Sequence, residues 1–294
     1  MSEVKKFNDG TINLINEIFN GKDDFFCKKF YEDYHVKDII PTSKPECKLL
    51  FIVESPHTDE IKLENKYPLA GDSGRNLSNF IYTTILQKEL KKQLYCKQTL
   101  SKLSIYNLKH INDKSQASVT SNFNIQLPCN IDTSRLEGFG MSELITAANE
   151  FLAFGKWLSN AKSNPGIGIM NICNIPIQSK AYIEKYKVGI KTKLEPFRDP
   201  KITEDVKRTQ KKIHDLLIAN TRNKICHYKP SIVVLCGRTA EYFYNEAKND
   251  QGAYIFPNGY FIYHPSRIFD NNNISKIPNH ILNLSKALEE YVKK

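Results

Sequence analysis

The sequence predicts an α/β fold with three layers, α/β/α, built on a central, mostly parallel four-stranded sheet and carrying an inserted helical region. Short continuous apolar runs at Leu49–Val53, Ile167–Cys173 and Ser231–Cys236 have the composition of strands that are buried on both faces. Amphipathic helical patterns separate these runs. Strands that alternate with helices indicate a parallel sheet with helices on both sides.

The elements of the first half follow from local patterns. Residues 1–47 form a predicted N-terminal helical region, with an apolar stripe from Ile12 to Phe19. After Leu49–Val53, a polar loop leads to a helix that we expect to begin near Arg75. Ser142 is the predicted cap of another helix, which extends to Leu158. Residues 87–165 form the insertion within a single domain that covers residues 1–294.

The second half continues the alternation of strands and helices. A long basic helix is predicted over Thr203–Cys226, and Gly237 turns the chain from a strand into the next helix. The sequence Pro257-Asn258-Gly259 has the composition of a hairpin turn, so we expect an antiparallel piece that ends at Tyr260–Tyr263. A terminal helix is predicted over Ile274–Val292.

Composition narrows the class of protein. The chain has 294 residues, of which 40% are apolar. Its net charge of +10 favours a polyanionic partner such as nucleic acid. Charge that only keeps the protein in solution explains the same value equally well. The seven cysteines are scattered without a CxxC pair, so we expect no metal and no cofactor. The sequence shows no apolar leader and no run of transmembrane length. We therefore expect a reduced, cytoplasmic protein with no membrane partner.

Two strand-like runs end in polar tips with ionisable side chains. The first tip is Glu54-Ser55-Pro56-His57, and the second is His264-Pro265-Ser266-Arg267. In an open α/β sheet the carboxyl ends of the strands line the ligand crevice. We therefore expect these two tips to meet over one pocket.

Five segments, in this order, resemble the segments of the uracil-DNA glycosylase superfamily and cover about a third of the chain. They are Val53–His57, Pro68–Gly74, Met170–Asn171, Ile232–Ala240 and His264–Ser266. Breaking an N-glycosidic bond leaves positive charge on the sugar and negative charge on the departing base. Such a reaction requires negative charge or a held water near the sugar, and a hydrogen-bond donor near the base.

The resemblance implies roles for the residues that contact the base. His264 would donate to the base O2 as the leaving group becomes anionic, and Glu54 would contact the base or position water. Asn171 would present its amide to the edge of a flipped pyrimidine, with Asn174 as the competing candidate. The structural alternatives are a histidine at a strand end, a helix-capping Glu54 and a turn-forming asparagine.

The resemblance also implies a DNA contact after the histidine. Ser266 and Arg267 would contact phosphates, and Ile268 or Phe269 would wedge into the gap that the flipped base leaves. A surface loop with a buried Phe269 is an equally good interpretation.

The chain departs from the family pattern at three places. Ser55 stands where several branches carry Asp or Asn to orient water, so His57, Asp59 and Asp72 become candidates for that task, with His57 also a candidate for base binding. Leu69 replaces the aromatic residue that stacks on the base, and Tyr67 is a possible substitute platform. The four cysteines of the iron–sulfur branch are absent from the sequence.

The sequence therefore predicts a monomeric, monofunctional DNA glycosylase that acts on single- or double-stranded DNA. The departures at Ser55 and Leu69 favour a modified base, such as a 5-substituted cytosine of phage DNA removed in antiviral defence. The alternatives are a uracil-DNA glycosylase of base-excision repair and a non-catalytic nucleic-acid binder on the same scaffold. A nucleotide-binding enzyme finds little support, because neither Gly-x-Gly-x-x-Gly nor a P-loop sequence follows a strand.

Overall fold

A parallel four-stranded sheet forms the centre of the protein, as seen in a computed structural model that describes residues 10–19, 22–41, 47–61, 63, 66–90, 153–160, 166–176, 204–249, 254–267 and 276–293. The strand order is β2-β1-β3-β4, and each neighbouring pair is parallel. The strands are β1 (Leu49–Val53), β2 (Ile167–Asn171), β3 (Ile232–Cys236) and β4 (Gly259–Ile262). The predicted α/β fold class is confirmed.

Helices cover both faces of the sheet. In chain order they are α1 (Thr11–Ile18), α2 (Asp24–Tyr34), α3 (Thr58–Ile61), α4 (Asp72–Leu90), α5 (Phe154–Asn160), α6 (Glu204–Tyr228), α7 (Arg238–Asn249) and α8 (Ile277–Lys293), with a 3₁₀ turn at Pro265–Arg267. Within the described residues, none of these helices is both long enough and apolar enough to cross a membrane.

Strand β1 shows why the layers form. All five of its residues are buried, because one set of alternating side chains faces each layer. Leu49, Phe51 and Val53 pack with α4, α5 and α8, and Leu50 and Ile52 pack with α1, α2, α6 and α7. The central position of β1 therefore places the residue that follows it, Glu54, in the middle of the sheet edge.

The predicted hairpin before β4 is wrong. Residues 254–258 are not a strand, and β4 pairs in parallel with β3. Pro257 has no N–H to donate to a ladder, and its carbonyl oxygen instead accepts a hydrogen bond from Tyr244. Phe256 packs against the Tyr244 ring, so this segment fills the core rather than extending the sheet.

Helix boundaries differ from the prediction at two places. Helix α4 begins at Asp72, three residues before Arg75. Ala153 is not helical, and α5 begins at Phe154, so the predicted helix from Ser142 does not run unbroken to Leu158. Most of the predicted insertion at 87–165, including Ser142, lies outside the described residues.

The loop from Pro68 to Gly71 is wedged between α4 and α5. Leu69 has a left-handed backbone with φ 55°, and its carbonyl oxygen accepts a hydrogen bond from the N–H of Gly155 at 3.0 Å. A Cβ atom at Gly74 would lie 1.9 Å from that same carbonyl oxygen, whereas a Cβ at Gly71 would meet nothing within 4 Å. Gly71 at the end of the loop and Gly74 in the first turn of α4 therefore differ in the space around them.

We expect Gly74→Ala to lower the free energy of unfolding by about 1–3 kcal/mol, because a rigid backbone oxygen blocks the added methyl group. Gly71→Ala is the matched control and should change it by less than about 1 kcal/mol. Urea denaturation followed by circular dichroism measures both values. Equal losses in the two variants would show that the close approach at Gly74 has no energetic weight.

Candidate active site

The carboxyl ends of the four strands bring together polar residues from distant parts of the chain. Asn171 is the last residue of β2 and pairs in register with Val53, so Glu54 lies directly beyond that pair. The N–H of Cys173 donates to the carbonyl oxygen of Glu54 at 3.0 Å. This bond ties the tips of β1 and β2 to each other.

Asn171 presents an unused amide at this edge. The residue is 1% exposed, and neither its Oδ1 nor its Nδ2 has a hydrogen-bond partner among the described residues. Buried polar groups in proteins are almost always paired, so an orphaned amide at a strand end is the arrangement expected of a group that binds a ligand. A planar amide offers one donor and one acceptor side by side.

Asn174, the competing candidate, has its amide fully engaged. Its Nδ2 donates to the carbonyl oxygen of Val36 and to Oδ1 of Asp38, each at 2.7 Å. Its Oδ1 accepts a hydrogen bond from Lys224. Asn174 therefore serves the fold, and Asn171 is the asparagine with hydrogen-bonding capacity to spare.

The side chains around Asn174 form a buried polar network. Asp38 and Lys224 make an ion pair at 3.2 Å, and their side chains are 4% and 1% exposed. The hydroxyl of Tyr228 donates to the second carboxylate oxygen of Asp38 at 2.9 Å. The carboxylate is thus fully surrounded by donors, which is what a buried charge requires.

Glu54 lies against the start of α7 rather than capping the helix that follows its own strand. It accepts a hydrogen bond from the side chain of Thr239, the second residue of α7. Burial raises the pKa of the Glu54 carboxyl, while Thr239 and the nearby positive charge of Arg267 act in the opposite direction. This places one carboxylate next to both the α7 N-terminus and the 3₁₀ turn after His264.

His264 is held as a neutral donor. The backbone N–H of Ser266 donates to Nδ1 at 3.3 Å, and the Ser266 hydroxyl lies 2.8 Å from the same nitrogen. An Nδ1 that accepts a hydrogen bond leaves the proton on Nε2. Burial, together with the charge of Arg267, lowers the pKa of His264 to about 4, so the ring is uncharged at neutral pH.

Two contacts position the His264 segment from behind. Gly237 adopts φ +101°, and a Cβ there would lie 3.0 Å from the Cβ of His264, so only glycine lets the histidine sit this close to the end of β3. The Nδ2 of buried Asn76 donates to the carbonyl oxygen of Pro265 at 3.1 Å. Helix α4 thereby fixes the turn that begins after the histidine.

The other predicted site residues occupy the surrounding loops. Ser55 is half-buried next to Glu54, and His57 is exposed. The carboxylate of buried Glu60 accepts from the backbone N–H groups of His57 and Ala70, and thereby joins the two loops. Ser266 and Arg267 are exposed on the 3₁₀ turn.

The two candidates for the stacking platform differ in their surroundings. Leu69 is 3% exposed, and its side chain is part of the core that α4 and α5 form with the sheet. Tyr67 is half-buried near Glu60, and burial together with that charge raises the pKa of its hydroxyl. Tyr67 is therefore the aromatic ring in this loop that remains partly accessible.

The candidates for water activation are unequal. Asp72 is exposed and pairs with Arg75 at 2.5 Å, which occupies its carboxylate at the surface. The side chain of Asp59 lies outside the described part of the structure, as do Ile268 and Phe269. The Glu54 carboxylate, by contrast, lies at the strand ends, directly after β1.

Several residues that hold the site in place carry no clear signal in the sequence. Thr239 lies within the segment Ile232–Ala240, but nothing in its residue type marks it as a partner of Glu54. The importance of Lys224 could have been predicted from the sequence. It shares a helical face with Leu217, Thr221 and Tyr228, and a lysine on a largely buried face requires a partner. The corresponding partner, Asp38, lies between α2 and β1, in a stretch without periodicity.

Comparisons of the chain with protein-family models, with curated proteins and with solved structures found no match. Among the described residues, no group of three or more His, Cys, Asp or Glu side chains is arranged to hold a metal ion.

The lowered pKa of His264 predicts a pH dependence of stability. Between about pH 4 and pH 6.5 the unfolded chain binds a proton on this ring that the folded chain does not, so the free energy of unfolding falls as the pH falls through that window. His264→Gln should remove this contribution. Because the raised pKa of Glu54 acts in the opposite sense, the quantity to follow is the difference between wild type and variant at each pH.

NMR titration of the imidazole signals gives the direct measurement. We expect the His264 midpoint near pH 4. A His264 midpoint near 6.5, with no pH-dependent difference in stability between wild type and His264→Gln, would contradict the neutral-donor arrangement.

Proposed function

We propose that this protein is a monofunctional DNA glycosylase that flips a pyrimidine into the strand-end site and hydrolyses its N-glycosidic bond. The observation that carries the proposal is the buried, unpartnered amide of Asn171 on the same sheet edge as Glu54 and His264. Neighbouring strands lie about 4.8 Å apart, so the tips of β2 and β4 are separated by roughly 14 Å. In this proposal the flipped base lies between Asn171 on one side and His264 on the other.

The amide of Asn171 supplies recognition. The Watson–Crick edge of a pyrimidine carries adjacent donor and acceptor groups, which a side-chain amide matches with two parallel hydrogen bonds. Because the amide has no partner among the described residues, pairing with a base breaks no hydrogen bond described within the protein. An apolar ligand would leave both amide atoms unsatisfied, which favours a polar edge.

His264 supplies stabilisation of the leaving group. As the bond from sugar to base breaks, its electron pair moves onto the base, and the base oxygen becomes anionic. A neutral imidazole whose Nε2–H points at that oxygen stabilises the growing charge without losing its proton. The low pKa of His264 keeps the ring in this neutral form.

Glu54 supplies negative charge for the sugar. The sugar develops positive charge as the base departs, and a water molecule then adds to its C1′ atom and releases a proton. Ser55 is next to Glu54 and has a hydroxyl that can hold water but cannot act as a base at neutral pH. We therefore assign water positioning to Glu54 and Ser55 together, with the Glu54 carboxylate as the charged partner.

The proposed partner is DNA, which the exposed Arg267 would contact through phosphate beside the flipped nucleotide. Within this function, we propose a 5-substituted cytosine as the base, because Leu69 stands where an aromatic platform is expected and is packed into the core. Tyr67 is then the ring that contacts the base. Plain uracil is the alternative substrate, and a binder without catalytic activity is the alternative function.

A base-excision panel tests the proposal. Oligonucleotides with uracil, cytosine, hydroxymethylcytosine or glucosylated hydroxymethylcytosine are incubated with the protein and treated with alkali to cut abasic sites. We expect cleavage on one modified cytosine, and a loss of about 10²–10³-fold in rate for His264→Ala, since a preorganised donor to the leaving group is removed. Asn171→Ala should also lose excision, because the base is no longer held.

Two matched variants control for damage to the fold. His214→Ala removes a histidine that bonds to Tyr242 between α6 and α7, and Asn283→Ala removes an amide that bonds to the Phe261 carbonyl. Both should excise at the wild-type rate. Cleavage on uracil alone would assign the protein to repair, and DNA binding without cleavage on any oligonucleotide would overturn the glycosylase proposal.

A further inference from the structure

Along the outer edge of β2, the hydrogen-bond partners of the backbone at Asn171 differ from those at Ile169. In a strand, the N–H and C=O of one residue point to the same edge, and residues two apart share that edge. Ile169 exchanges both backbone hydrogen bonds with Ile39, at 2.8 and 2.9 Å. Asn171, two residues further on, faces the same edge.

Side chains replace the backbone at Asn171. Its N–H donates to Oδ1 of Asp38 at 3.0 Å, and its carbonyl oxygen accepts from Nζ of Lys224 at 2.8 Å. The carboxylate and the ammonium group are the two members of the ion pair at 3.2 Å. The pair therefore contacts both backbone polar groups of one residue, as a neighbouring strand would.

A buried ion pair is a costly way to hold a strand end. Two charges lose their hydration, and well-packed apolar side chains of similar size often give equal or greater stability. The side chains of Asp38 and Lys224 are nevertheless almost fully buried, so solvent relieves little of that cost. What the pair adds is a fixed direction for the Asn171 backbone.

The Asn171 side chain depends on that direction. Its amide has no hydrogen-bond partner among the described residues, so its orientation is set by the backbone that carries it and by packing. We propose that the Asp38–Lys224 ion pair is a positioning device that aims the Asn171 amide at the edge of the bound base and thereby sets base discrimination. This inference rests on the proposed glycosylase function.

Lys224→Met removes the donor to the Asn171 carbonyl while keeping an unbranched side chain of similar length. The matched control is Lys212→Met, which lies on the same helix and loses a largely exposed ion pair with Glu17. Asp38→Asn/Lys224→Met is the second test variant, in which no buried charge is left unpaired, so that the network can be tested if the single variant does not fold.

Two measurements are made on each variant. The first is the ratio of kcat/KM between the preferred base and the next base of the panel. The second is the side-chain amide signal of Asn171 in protein labelled with ¹⁵N-asparagine, assigned with Asn171→Ala. A loss of stability alone lowers activity on all bases in proportion, whereas a misdirected amide lowers the ratio.

We expect Lys224→Met or the double variant to lose about 10–100-fold in kcat/KM on the preferred base, as misplacement by about 1 Å commonly causes. The discrimination ratio should fall with it, and the Asn171 amide signal should shift or broaden. Lys212→Met should match wild type within about twofold, as expected for an exposed pair.

The outcomes separate this inference from the proposed function. A folded test variant with unchanged discrimination and an unchanged Asn171 signal overturns the positioning role while excision by wild type stands. If wild type excises none of the bases, the glycosylase proposal fails by itself. The amide signal then still decides whether the ion pair orients Asn171.

Discussion

The ion pair between Asp38 and Lys224 connects three parts of the chain at the tip of β2. Asp38 belongs to the extended segment between α2 and β1, Lys224 to the last turns of α6, and the residue they hold ends β2. Because both charges are buried, neither side chain can leave the pair without a large electrostatic penalty. The ion pair therefore holds the tip of β2, and with it Asn171, in place.

The opposite side of the site is built from weaker, neutral contacts. A backbone N–H and a hydroxyl from Ser266 orient His264, and an asparagine of α4 fixes the carbonyl of the residue between them. Glu54 lies between these two sides and accepts a hydrogen bond from α7. The two sides of the site are therefore held differently: a charged network holds Asn171, the proposed recognition group, and a neutral network holds His264, the proposed donor to the leaving group.

Much of the fold could be predicted from the sequence, because buried strands require apolar residues. The runs at β1, β2 and β3 are continuously apolar since both faces of a central parallel strand are covered. The hairpin before β4 could not be distinguished, because Pro-Asn-Gly is a turn signal whether or not the preceding residues pair with a strand. Glu54 and His264 could be placed at one sheet edge because each follows the carboxyl end of a predicted parallel strand. Their contacts with Thr239 and Ser266 could not be predicted, because these contacts depend on side-chain geometry that no sequence pattern encodes.

The position of β1 in the sheet has a consequence for folding during synthesis on the ribosome. Both of its neighbours in the sheet follow it by more than a hundred residues. Until they are made, both edges of β1 lack the partners they have in the finished sheet, and contacts of such long sequence separation form slowly. Since His264 follows both Glu54 and Asn171 along the chain, a growing chain contains these two residues before it contains the histidine. The three groups at the strand ends can therefore come together only after β4 has been made.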